Sequence, residues 1–369
     1  MKFIHLSDLH LGKRLLERSL IEDQEYLLKK ILNIIKQESP DGFLIAGDIY
    51  DKSVPSAEAV ELFDSFLTEL AKEKQEVFLV SGNHDSAERI AFGSSIFNSS
   101  GIHISPVYNG KIEPVHFKET DIWLVPFIKP VNVKRFYPEK EISTYEDAFE
   151  TIISDMELNK DRINIMVAHQ FVIGAEKGGS EEMSIGGIDN IDASLMKDFD
   201  YVALGHIHKK QMMGKRIRYC GTPMKYSFSE INNKNTVTVI DINKDGIQIG
   251  EIELIPKRDL KEIRGSFKEV MDETYHSKLN LEDYYHIILT DEQDIPDGAA
   301  KLRSVYKNLL KLDYDNARTR NQNVISLADL TEEKSTLELF DDFYEMVNGK
   351  KMTDEQTKIM ENVINKVEG

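Results

Sequence analysis

The chain has 369 residues, 41% of them hydrophobic and 30% charged, with 46 basic against 64 acidic residues and a formal net charge of -18. That size supports one large domain with one or two smaller ones around a sizeable core, and the acidic balance excludes broad electrostatic capture of nucleic acid while allowing a local site. Its single cysteine, Cys220, excludes an internal disulfide and a thiolate zinc site, so any metal must be held by His, Asp, Glu or Asn.

No apolar run reaches the length of a membrane span, and the opening "MKFIHLSDLH" leads straight into a strand pattern. The expectation is a cytoplasmic protein. After the first strand, "LIEDQEYLLKKILNIIKQES" places Leu27, Ile31, Ile34 and Ile35 at helical spacing. "DGFLIAGD" is a short apolar strand, "SAEAVELFDSFLTELAKE" a helix and "EVFLVSGNHD" another strand. This alternation predicts a parallel sheet with functional groups at the carboxyl ends of its strands. Further strands read "DIWLVPF", "INIMVAHQ" and "YVALGHIH", and from Ile217 to Leu254 the pattern turns to hairpins, predicting a second, antiparallel sheet.

A boundary is expected near "IPKRDL". Beyond it come a short helical piece, the strand "YYHIILTDE" and a helix after Pro296 through about Leu310, together a small α/β module. The end of the chain is expected to be helical. One apolar stripe runs Leu337, Phe340, Tyr344, Val347 and stops at Gly349, which is read as a C-terminal cap. A second begins at the capping box Thr353 and Gln356 and carries Ile359, Met360, Val363, Ile364 and Val367. The expected limits are 1–257, 258–328 and 329–369.

The polar residues where the apolar strands give out form a series. "SDLH" supplies Asp8 and His10, "AGD" Asp48, "SGNHD" Asn83, His84 and Asp85, "VAHQ" His169, and "GHIH" His206 and His208. Residues i and i+2 of an extended segment share a face, so His206 and His208 can converge on one point. Each motif alone is as well explained by a satisfied polar group. Five in order are not. Carboxylates, imidazoles and an amide oxygen suit Mn²⁺, Fe²⁺ or Zn²⁺, and seven ligands with one carboxylate shared suffice for two ions. His5, inside the first strand, reads as structural. The segment "HKKQMMGKRIRYC" carries Lys209, Lys210, Lys215, Arg216 and Arg218 without an acidic residue, and is either a solvated hairpin or a nucleic-acid contact.

This series resembles the calcineurin-like metallophosphoesterase superfamily. "GNHDSAER" and "GTPMKYSFSE" (Gly221 to Glu230) are similar to its SbcD nuclease branch. The resemblance implies a two-sheet α/β sandwich flanked by helices, a small α/β capping domain that binds DNA, and a helical tail. It implies that Asp8, His10 and His208 hold one metal, that Asn83, His169 and His206 hold a second, and that Asp48 bridges them. The metals would be two divalent ions, Mn²⁺ first among them. His84 would face the scissile phosphate, with Asp85 as its orienting partner. Some relatives place a histidine three residues after the bridging Asp; here Asp51 stands there. The implied activity is 3′→5′ exonuclease action on duplex DNA and endonuclease action on hairpins and single strands. The implied partner is an SbcC-type ATPase gripped by the C-terminal helices, with two nuclease subunits in a heterotetramer serving DNA repair, replication and recombination. The alternatives are a phosphodiesterase or phosphatase for a small nucleotide or phosphoprotein, and an inactive scaffold; the full ligand series argues against the latter.

Overall fold

In the computed structural model, strand β1 (Lys2–Leu6) is buried at every residue after the first, and β2 (Gly42–Ala46) at all five. Such unbroken apolar runs belong to strands covered on both faces. They pair in parallel with each other, and β2 pairs in parallel with β3 (Glu76–Val80), which pairs with β4 (Ile102–Ile104). The crossovers are α1 (Ile21–Glu38) and α2 (Ala57–Lys72). Ser56 caps α2 by accepting the Ala59 amide, and Phe66 of α2 meets Phe43 of β2 edge to face.

The second sheet holds β5 (Pro114–Phe117), β6 (Thr120–Val125), β7 (Ile163–His169), β8 (Tyr201–Gly205), β9 (Gln211–Met213) and β10 (Ile217–Tyr219) in the order β9-β10-β8-β7-β6-β5. Alternate residues face the first sheet: Leu44, Ala46, Phe78 and Val80 pack on Ile122, Leu124, Ile165, Val167, Tyr201 and Ala203. Helix α3 (Tyr145–Ser154) covers the far face through Ala148, Phe149 and Ile152.

The expected separate antiparallel sheet does not form. Strand β10 lies parallel to β8, and β11 (Thr236–Asn243) with β12 (Gly246–Glu253) extends the first sheet beyond β1, where β11 runs antiparallel. The alternation within these strands is readable in the sequence, but it does not specify which distant edge they join.

The structure describes residues 1–176, 190–244, 246–322, 335–348 and 351–368, and the chain divides into two compact units, Met1–Asp259 and Leu260–Gly369. In the second unit, β13 (Leu260–Gly265), β14 (Tyr284–Leu289) and β15 (Leu309–Tyr314) form a parallel sheet around Ile263, Tyr285, Ile287, Leu302 and Tyr306. The helix expected to run to about Leu310 is corrected: α4 spans Gly298–Arg303, and "LLKLDY" is a strand. After a short helix at Ala317–Gln322 come α5 (Thr336–Asn348) and α6 (Asp354–Glu368). Thr353 and Gln356 make the expected reciprocal cap of α6, and Gln356 donates to the Tyr344 hydroxyl at 2.9 Å. Gly349 and the side chains of Val347 and Val367 lie outside the described residues. Among the described residues no helix is long and apolar enough to cross a membrane.

Candidate metal centre

Each strand of the two parallel cores ends in a short loop, and these loops are zipped together. The Asp8 and His10 amides donate to the carbonyls of Gly47 and Asp48, both at 3.0 Å. The loops are bent by left-handed residues at the functional positions: φ is 54° at Asp8, 43° at His10, 50° at Asp48 and 99° at His206. Non-glycine residues rarely adopt this region, which costs about 1–3 kcal/mol each and requires a tightly determined surround. Two glycines permit the approach. A Cβ on Gly205 would lie 1.9 Å from the Ala46 carbonyl oxygen, and one on Gly82 would lie 2.1 Å from Asp48 Oδ1.

All seven expected ligands converge. His10 Nε2 and His208 Nε2 are 3.1 Å apart, and Asp8, His10 and His208 offer donor atoms within 4.8 Å of one another. Asn83 Oδ1 lies 2.9 Å from both His169 Nε2 and His206 Nδ1. Asp48 stands between the groups, its Oδ2 3.6 Å from His10 Nε2 and 3.4 Å from His169 Nε2. The remaining oxygens of the two aspartates bind the loops: Asp8 Oδ1 accepts the His206 amide and Asp48 Oδ1 the His84 amide, both at 3.0 Å.

Burial and close charges perturb the titrating groups of this cluster in opposite directions. Burial pushes the Asp8 carboxyl up, against the pull of His169 and His208. Burial also drives the His10 imidazole well down, and its Nδ1 has no hydrogen bond among the described residues. At His169 burial opposes protonation, but the adjoining Asp48 outweighs it and holds the ring at about 9. Carbonyl and carboxylate partners fix two rings from behind, His169 Nδ1 donating to the Ala46 carbonyl at 2.8 Å and His208 Nδ1 to Glu230 at 2.9 Å. That is how metal-binding imidazoles are held. The donor set, with oxygen and imidazole nitrogen and no thiolate, fits two divalent ions of the Mn²⁺, Fe²⁺ or Zn²⁺ kind.

His84 sits at the rim, edge-on to His10 with ring centroids 4.9 Å apart. Its expected orienting partner is corrected. Asp85 accepts the amides of Gly82, Ile49 and Tyr50 at 2.9–3.1 Å, and so braces the loop. The His84 ring is set instead by the Asp51 carbonyl, to which Nδ1 donates at 3.0 Å. Burial and the neighbouring Asp48 push the Asp85 carboxyl up to about 7 despite its three amides.

Two contributors carry no local signal in the sequence. Asp51 acts through its backbone, and Gln24 donates to the carbonyls of Leu9 and His10 at 3.2 and 2.7 Å. His5 is buried in β1 with Nδ1 3.1 Å from the Tyr201 hydroxyl, a core histidine. The basic segment is not a free positive stripe: Lys209 pairs with Glu176, Lys210 and Arg218 with Glu251, and Arg216 donates to the carbonyls of Lys197 and Phe199.

Residues 1–210 match the profile of the calcineurin-like phosphoesterase family, and residues 256–348 that of a family described as the type 5 capsule protein repressor C-terminal domain. A Staphylococcus epidermidis protein, named as the D subunit of nuclease SbcCD, is 33% identical over 318 residues, covering 85% of each chain. Its Staphylococcus saprophyticus namesake is 32% identical over 372 residues, covering 99% of this chain and 98% of the relative. A dimetal phosphatase from Danio rerio aligns with a TM-score of 0.39 and 11% identity over 69% of this chain and 96% of that one.

Proposed function

The chain belongs to the calcineurin-like phosphoesterases and, within them, to the SbcD family of nuclease subunits; on that premise we propose that it is a two-metal DNA nuclease working with an SbcC-type ATPase. The observation that carries this reading is the convergence of Asp8, His10 and His208 on one point and Asn83, His169 and His206 on another, with Asp48 between. Those residues would hold the ions, Mn²⁺ in our reading. Bound there, the ions would polarise a phosphoryl oxygen and make water a nucleophile at neutral pH.

The chain's own groups do the rest. With Nδ1–H donated to the Asp51 carbonyl, His84 presents Nε2 to the rim, where as an imidazolium it donates a proton to the 3′ oxygen that leaves phosphorus. The reaction adds water across the P–O3′ bond and yields a 5′ phosphate and a 3′ hydroxyl. We assign exonuclease action on duplex ends and endonuclease action on hairpins and single strands.

The proposed division of labour follows the three sequence segments. Residues 1–257 carry the chemistry, 258–328 cap the substrate, and 329–369 bind the ATPase. Support for the last comes from Leu339 and Phe343 in α5 and Ile359 and Val363 in α6, two i,i+4 pairs that stand exposed. Pairing of two nuclease subunits is supported by exposed Val54 and Val60, just before and within α2, and by Phe92 and Ile96 farther along the chain, with Phe92 82% and Ile96 73% exposed.

The test is release of nucleotides from an end-labelled duplex with Mn²⁺, beside His84→Ala and the ester bis-p-nitrophenyl phosphate. Wild type is expected to degrade the duplex, and His84→Ala to bind metal while losing about 10²–10⁴-fold in rate. Cleavage of the ester with intact DNA, even with the ATPase and ATP present, would replace DNA by a small phosphodiester as the substrate.

A further inference from the structure

The segment Gly221 to Glu230 carries part of the family resemblance. It returns to the centre at its last residue. Ser227 opens a short 3-10 turn, Phe228–Glu230, by accepting the Ser229 amide, and Glu230 at its end is fully buried. A buried carboxylate is costly unless both oxygens are engaged. Oε2 accepts the Tyr226 amide at 2.7 Å, and Oε1 lies 2.9 Å from His208 Nδ1. Tyr226 braces the same place: its hydroxyl donates to the Leu9 carbonyl, and its ring stands edge-on to His10 and His208, with centroids 5.4 and 6.2 Å away.

A carboxylate only accepts, so the hydrogen of a neutral His208 ring must sit on Nδ1. The lone pair then lies on Nε2, the atom that faces His10 Nε2 at 3.1 Å. We propose that Glu230 is a positioning residue for this centre: it fixes the tautomer and plane of His208 so that Nε2 is presented to the cation shared with Asp8 and His10. His169, on the other side, receives the same service from the Ala46 carbonyl. The two halves of the centre are therefore held differently, one by main chain and one by a replaceable side chain. The inference rests on the two-metal reading for its consequence, but its geometric part concerns the metal-free protein.

Glu230→Gln is the informative variant. Its single amide oxygen cannot serve both the Tyr226 amide and His208 Nδ1, and an NH₂ turned to His208 moves the ring hydrogen to Nε2. Imidazole ¹⁵N shifts of the metal-free wild type should report the Nδ1–H tautomer at His208, and the variant should show Nε2–H or a mixture. In a Mn²⁺ titration followed by electron paramagnetic resonance, Glu230→Gln should weaken one of two sites by about 10–100-fold and leave the other at wild-type affinity.

An Nε2–H tautomer in the wild type would overturn the proposal, as would equal weakening of both sites. Should the wild type bind no Mn²⁺, the two-metal reading fails, while the tautomer measurement still decides whether Glu230 sets His208. Because that measurement is made on the wild type, it does not depend on the variant folding.

Discussion

At the strand ends Asp8, His10, Asp48, His169, His206 and His208 are buried, whereas in α5 and α6 Leu339, Phe343, Ile359 and Val363 stand in solvent. The first region hides polar groups and the second displays apolar ones. Each departs from the ordinary distribution, and each carries a cost: taking charged and polar groups out of water in one case, and forgoing about 25 cal/mol per Å² of apolar burial in the other. A cost of this kind marks a place that is complete only with something else bound. On the function proposed above, the strand ends take cations and the tail an apolar protein surface.

Four measurements would break or sharpen that contrast. The largest effect is expected at Asp48, the carboxylate between the two ligand groups. Asp48→Ala should lower phosphodiester hydrolysis by at least about 10³-fold, as measured with bis-p-nitrophenyl phosphate; activity near wild type would remove the buried polar cluster from the chemistry. Next is Asp85→Ala, which strands the amides of Gly82, Ile49 and Tyr50 and should cost about 3 kcal/mol in urea unfolding. An unchanged urea midpoint would mean that water replaces the carboxylate without loss.

In the tail, Leu339→Asp together with Phe343→Asp should weaken capture of the partner ATPase by about 30-fold in calorimetric titration, a loss of about 2 kcal/mol. Undiminished capture would detach the exposed apolar pairs from docking. The last measurement separates the regions by pH, and its effect is the smallest for any single step of one pH unit. Burial, with the Arg218 charge adding to it, lowers the His5 imidazole from 6.5 to about 3. The unfolded chain therefore binds this proton first, so the contribution is intact above pH 6.5 and declines as pH falls toward 3, by about 1.4 kcal/mol per unit. Urea unfolding at about pH 7, 6, 5 and 4 should show that slope, and His5→Leu should flatten it. The tail holds no histidine, so helicity measured on α5 and α6 should not follow the same curve.

Much of the centre is legible because its residues lie in local words. An apolar run followed by Asp, by Asn-His-Asp or by Gly-His-x-His marks a strand and what it carries, and the parallel order of β1, β2 and β3 follows from the helices between them. What is not legible depends on partners far away in sequence. Strand β11 pairs with β1 across more than two hundred residues, Arg218 is neutralised by Glu251, and Glu230 meets His208 only through the return of a loop. Asp85 misleads for a different reason: adjacency to His84 suggests a side-chain contact, but a residue next in sequence faces away, and its carboxylate meets backbone amides instead. In the second unit the helix after Pro296 reads on to about Leu310, into the start of "LLKLDY", because so short an apolar run does not separate strand from helix end by period alone.

The placement of β1 also sets a timetable. It precedes the other strands, yet it lies inside its sheet between β2 and β11, and the groups that close the centre around Asp8 and His10 are His206, His208 and Glu230. A ribosome must therefore add more than half of the chain before any of those three exists, and β1 keeps one edge unpaired until β11 emerges. A nascent chain halted anywhere earlier has the beginning of the ligand set and no means of assembling it, so the capacity to cut appears late and all at once.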